Sequence, residues 1–108
     1  MKIIRNNIIP FKGFLAINLF GVLFVRKDGK VDEVTINHES IHTEQMKELG
    51  YIFFYLLYLV EYLVRLAINR DANKAYRAIS FEQEAYENEH NLSYLKSRKH
   101  YYWLGYII

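Results

Sequence analysis

The sequence predicts an α+β fold, with a small N-terminal antiparallel β-sheet followed by a mostly helical core. Three observations lead there. Runs rich in β-branched and aromatic residues stand before Lys27, the turn dipeptide Asp28-Gly29 closes them off, and from Asp32 onward the apolar residues recur at helical spacing. The length of 108 residues suits a single domain, residues 1–108, with one core and no room for a separate substrate domain.

Composition narrows the function classes. The chain is 52% hydrophobic and 17% aromatic, with ten Tyr and seven Phe, which supplies ample core material and excludes disorder. A net charge of +2 without a dense Lys/Arg stripe does not point to nucleic acid. The absence of cysteine rules out disulfides and thiolate metal sites, so any metal must sit on His, Asp or Glu.

The first strand is expected over Lys2 to Ile9, rich in isoleucine and stopped by Pro10. Phe14 to Asn18 and Val22 to Arg26 follow as strands separated by Leu19-Phe20-Gly21. Gly13 to Val25 has the length of a signal-peptide apolar region, but it ends at Arg26-Lys27 without a small-residue cleavage site and lacks a compact basic start. Asp32 is a good N-cap, with Thr35 at the third helical position, so a helix should run from Glu33 to about Leu49 and stop at Gly50, with Ile36 and Met46 docking it.

Tyr51 to Asn69 is the most apolar segment. Its tyrosines at 51, 55, 58 and 62 fall on one helical stripe that Arg65 continues, as in a core helix whose phenol tips reach polar partners at one edge. Glu61 and Arg65, four apart, favour an ion pair and a soluble core helix, hence a cytoplasmic chain; a membrane-embedded or membrane-surface helix is the alternative. Asn69 to Asn73 reads as a polar turn, and the helical pattern resumes at Lys74. Ser80 is the candidate N-cap of a last long helix from Phe81 to about Lys96, and the basic, then aromatic, tail from Ser97 should pack across the core.

The motif that carries chemistry is His38-Glu39-Ser40-Ile41-His42, an H-E-x-x-H pattern in the middle of the first helix. Residues four apart lie one turn above each other, so both imidazoles can aim at one point. Glu39, rotated by about 100°, can reach a water at that point and serve as catalytic base. The bland alternative is an exposed turn with two unrelated histidines. A catalytic zinc needs a third protein ligand, to come from the remaining acids or from His90 or His100. The longer signature H-E-x-x-H-x-x-G-x-x-H is not met, because Gln45 replaces its glycine and Glu48 its last histidine.

From Asn37 to Asn88 the chain resembles the gluzincin type of zincin, in which a Glu on a downstream helix completes the zinc site and often opens an E-x-x-A-D pattern. Glu82-Gln83-Glu84-Ala85-Tyr86 is similar to it, with Tyr86 where that group has Asp. The resemblance implies a zinc metallopeptidase with His38, His42 and Glu82 as ligands. Glu84 is the other candidate, since residues two apart on a helix point about 200° apart and only one of the two acids can face the site. Gln45 extends the resemblance, because some short zincins read H-E-x-x-H-x-x-Q. Short zincin-like proteins of bacteria are similar overall. Tyr86 is the candidate donor to an oxyanion, and Asp71 the nearest unassigned Asp that could orient a histidine. The resemblance further implies a peptide or protein substrate, added as a strand along the Val22 to Arg26 edge. A zincin fold that binds metal without turnover, and a non-enzymatic membrane-associated protein, are the competing readings.

Overall fold

The computed structural model describes residues 1–8, 16–27 and 29–107. It is α+β: a three-stranded mixed sheet followed by five α-helices and a short 3₁₀ helix. The strands β1 (Lys2–Asn6), β2 (Ala16–Leu19) and β3 (Val22–Arg26) lie in the order β1-β3-β2. The expected stop at Pro10, the first residues of the Phe14 to Asn18 run and Asp28 lie outside the described residues.

The sheet is not purely antiparallel. β2 and β3 pair antiparallel, whereas β1 pairs parallel to β3. A two-residue turn at Phe20-Gly21 makes the β2–β3 hairpin, and positive φ at both residues, +52° and +88°, gives it the twist that hairpins favour. β1 then takes the other edge of β3, whose alternate residues Leu23 and Val25 are fully buried. So β3 is central, and the edge beside the motif helix belongs to β2, not to Val22 to Arg26. Gly21 is needed twice over: besides its φ, a Cβ there would stand 3.2 Å from Thr43 Cγ2, so the hairpin seats directly on the motif helix.

The motif helix α1 (Glu33–Glu48) starts as expected, with the Asp32 carboxylate accepting from the Thr35 N–H at 2.8 Å. Gly50, at φ +64°, ends it, with the Tyr51 N–H returning to the Met46 carbonyl at 2.8 Å in a Schellman cap. Met46 enters the core cluster with Phe54, Ile79, Phe81 and Trp103, while within α1 Ile41 is buried and Ile36 only half-buried.

The second helix, α2 (Ile52–Asn69), lays Tyr55, Tyr58 and Tyr62 against that cluster, with Tyr51 just before it, but it is no core helix, since Phe54 is its one buried residue. Glu61 and Arg65 do not pair with each other. The Glu61 carboxylate accepts from the Ser80 N–H and from Ser80 Oγ (2.7 Å), and Arg65 Nη2 donates to the Ile107 carbonyl at 3.2 Å. Ser80 therefore opens α4 (Ser80–Asn88) as a donor to a carboxylate at the helix N-terminus, not as its N-cap. Between them lies α3 (Ala72–Ala78), capped by Asp71.

The last helix is shorter than its pattern suggests, because α4 stops at Asn88 and only one turn, α5 (Tyr94–Ser97), forms later. Asn37 of α1 is the reason: its side-chain amide stands 3.2, 2.8 and 3.0 Å from the carbonyls of Asn88, Glu89 and Asn91, groups a continuing helix would have used internally. The tail meets the core in part: Trp103, in the 3₁₀ helix Tyr102–Tyr106, is buried with its ring 4.7 Å from that of Phe81, while Tyr101, Tyr102 and Leu104 stay exposed.

A buried charge cluster ties this tail to α1 and α4. Arg98 Nε meets Glu84 Oε2 at 2.6 Å, and its Nη atoms meet both Glu48 oxygens at 3.0 and 3.1 Å; the Arg98 side chain is 4% exposed and that of Glu84 is fully buried. Burial pushes the Glu48 carboxyl up, but Arg98 and the Tyr101 N–H outweigh it and hold it below the usual carboxylate range. Its stabilising contribution is thus complete above about pH 4.5 and lost as pH falls through the lowered folded value. Replacing Arg98 by Met, which strands Glu84 without its cation, is expected to cost about 3–5 kcal/mol in urea unfolding and to flatten this acid limb.

Candidate metal centre

The site lies where α1 meets α4, beneath the β2–β3 hairpin. Among the described residues, His38, Glu39 and His42 form a group that could hold a metal ion, their ligand atoms all within 4.8 Å of one another. Glu82 of α4 closes on the same two imidazoles more tightly. His38 Nε2 and His42 Nε2 are 3.2 Å apart, and Glu82 Oε1 is 3.1 Å from each. Ligand atoms about 2.0–2.1 Å from a tetrahedral zinc stand about 3.3–3.4 Å from one another, so this triangle is close to one face of such a tetrahedron. Glu39, half-buried and lining the cleft, stands outside that face.

Hydrogen bonding fixes which imidazole atoms face inward. Gln45 Nε2 donates to the Phe81 carbonyl and to Glu84 Oε1, both at 3.0 Å, so its Oε1 is the atom that faces His42 Nδ1 at 2.7 Å. His38 Nδ1 faces Glu89 Oε1 at 3.2 Å. Each Nδ1 meets an acceptor and so carries hydrogen, which turns a lone pair of each neutral ring toward the centre. Tyr58 donates to Glu82 Oε2 at 2.7 Å, and Oε1 is left for the imidazoles. Three lone-pair atoms thus converge in a buried space. Such a cluster calls for a cation, either a proton or a metal.

Without a metal the cation is a proton. Burial alone would lower the His42 pKa, but the facing Glu82 carboxylate overrides it and pushes His42 up to about 9. Glu82 would likewise be raised by burial, and the two histidines and Tyr58 hold it well below the usual carboxylate range.

The structure separates the candidates that the sequence left together. Glu82 faces the histidines; Glu84 points the other way, to Arg98, Tyr94 and Gln45. Asp71 does not orient a histidine, because it caps α3 through the Lys74 N–H at 2.9 Å. That role falls to Glu89, two turns beyond Glu82 on the face where the resemblance looked for Asp at position 86, and to Gln45. The Tyr86 ring packs on His38 at 4.5 Å, and its hydroxyl lies 3.1 Å from that of Tyr76. Tyr76 lines the cleft beside the site, a cavity of about 300 Å³ shared with Glu39, His42, Tyr58, Glu82 and strand β2.

Sequence reasoning missed Tyr58, Tyr76, Glu89 and Asn18. Asn18 Nδ2 donates to the Glu39 carbonyl at 2.9 Å and to Thr43 Oγ1 at 3.1 Å, which clamps β2 along the motif helix. A polar Asn within the apolar run Ala16 to Leu19 was its only signal. No family model matches the chain, and no curated protein or solved structure matches it significantly.

A metal at this centre must displace the His42 proton. Divalent-cation affinity is therefore expected to rise about tenfold per pH unit below about 9 and to level off above it, as competition titrations against a chromophoric chelator would read.

Proposed function

We propose that the chain is a zinc-dependent peptidase in which His38, His42 and Glu82 hold the ion and Glu39 is the general base. The triangle of two Nε2 atoms and one carboxylate oxygen, with edges of 3.1–3.2 Å, carries this reading. Its donor set suits zinc, which takes nitrogen and oxygen ligands at this spacing and needs no thiolate. When bound, zinc supplies a water of lowered pKa, toward about 7, and a Lewis acid for the scissile carbonyl. The zincin-like arrangement of motif helix and glutamate helix is part of the same proposal.

The chain's own residues divide the remaining work. Glu39 takes the proton of the attacking water and returns it to the leaving amine. Tyr76, whose hydroxyl lies 3.1 Å from that of Tyr86 and which lines the cleft with Glu39, would donate a hydrogen bond to the developing oxyanion. Glu89 and Gln45 keep both imidazoles in the Nδ1–H tautomer, so the carboxylate missing at position 86 is supplied from position 89. An extended peptide would add along β2, whose four residues line the cleft, and not along β3. Tyr55 occupies the Phe20 N–H and the Asn18 carbonyl, at 2.9 and 3.3 Å, so added strand pairing would lie toward Ala16.

Metal analysis and peptide hydrolysis test this together. Wild type should carry one zinc per chain. Glu39→Gln should keep it and lose about 10²–10⁴-fold in kcat. His42→Ala and Glu82→Ala should lose zinc, and Glu84→Ala should lose stability before zinc. Tyr76→Phe should lower kcat about 10-fold or more with KM little changed. Wild-type protein unable to take up zinc would overturn the reading, and zinc uptake without cleavage of a broad peptide library would reduce it to a binding role.

A further inference from the structure

The geometry points to the outward half of α2 as a docking face for an anionic lipid surface. At 100° per residue, positions 52, 53, 56, 57, 59, 60, 63, 64, 67 and 68 fill one continuous arc of about 180°, and every one of them is Ile, Phe, Leu, Val or Ala. Phe53 is 64% exposed, Leu63 54% and Ile68 68%. The other half of the helix carries Tyr55, Tyr58, Glu61, Tyr62 and Arg65, and it is this half that meets the body of the protein. Polar inside and apolar outside is the reverse of a helix that borders water. Among the described residues, α2 is also the one helix long and apolar enough to cross a membrane.

Charge selects the occupant. Exposed Arg70 and Lys74 follow the helix directly. The tail, joined to α2 through Arg65 and Ile107, presents exposed Lys99 and then exposed Tyr101, Tyr102 and Leu104. No acidic side chain stands in the apolar arc. Asp71, which stands between Arg70 and Lys74, is engaged in capping α3; a second copy of the chain would bring the same cations to the same apolar arc, whereas an anionic headgroup layer complements them, and tyrosine favours headgroup depth. With α2 packed against the body along its tyrosine stripe, the helix would lie along the interface with its outer arc in the acyl boundary.

Sedimentation of the full chain with phosphatidylcholine vesicles, with and without phosphatidylglycerol, tests this independently of the metal, since zinc content is read separately. Wild type should sediment with the anionic vesicles. Leu59→Lys with Leu63→Lys, both at exposed positions, should stay in the supernatant with circular dichroism and zinc content unchanged. Arg70→Gln with Lys99→Gln should weaken anionic binding about 5-fold or more per charge and leave binding to neutral vesicles unaltered. Wild type that stays in the supernatant with both vesicle types would overturn the proposal. So would lysine variants that bind as wild type does. A lipid-free wild-type dimer that the lysine variants convert to monomer would assign the face to a second copy instead.

Discussion

The arrangement depends on one electrostatic constraint, which is that two imidazole nitrogens and a carboxylate oxygen share a space from which water is largely excluded. Their mutual repulsion is relieved only by a positive charge between them. Much of the surrounding polar structure serves to keep those three atoms in place. Gln45 is held by a backbone carbonyl and by Glu84, Glu84 is held by Arg98, and Arg98 is held by Glu48 at the end of the helix that bears the histidines. The network returns to the helix on which it began. That closure gives every side-chain polar atom of the fully buried Gln45 and Glu84 a partner.

The same economy explains why α2 is amphipathic in an unusual sense. Its polar stripe faces the site because Tyr58 is needed at Glu82 and Glu61 is needed at the start of α4, which leaves the apolar side chains outside. A helix free to turn its leucines inward would have withdrawn both groups. The position of the candidate metal site and the character of the surface are thus two results of one rotational choice.

The parts of this protein that sequence discloses are those set by short-range spacing. The caps of α1, the one-turn separation of His38 and His42, the tyrosine stripe and the turn that opens the β2–β3 hairpin all depend on neighbours within a few residues. Glu82 was reachable only by resemblance, and the geometry distinguishes it from Glu84 through partners as distant as Arg98. What sequence did not disclose depends on long-range pairing. Parallel docking of β1 on β3 leaves no mark in the strands themselves. The end of α4 is set by an asparagine about fifty residues earlier, which no periodicity within α4 could announce. The exposure of α2 was hidden too, because a solvent-facing apolar arc and a core-facing one are written in the same letters.

The Asn37 clasp on the end of α4 bears on how the domain assembles. Helices α1 and α4 each contain groups that the other satisfies, and the clasp, the Glu82 contact and the Arg98 cluster all join segments far apart in the chain. During synthesis α1 emerges long before its partners, so its inner face must wait, polar and unsatisfied, until nearly the whole polypeptide is available. A split of the chain between α1 and α4 should therefore yield two pieces that are each unstructured alone and that gain order only when mixed.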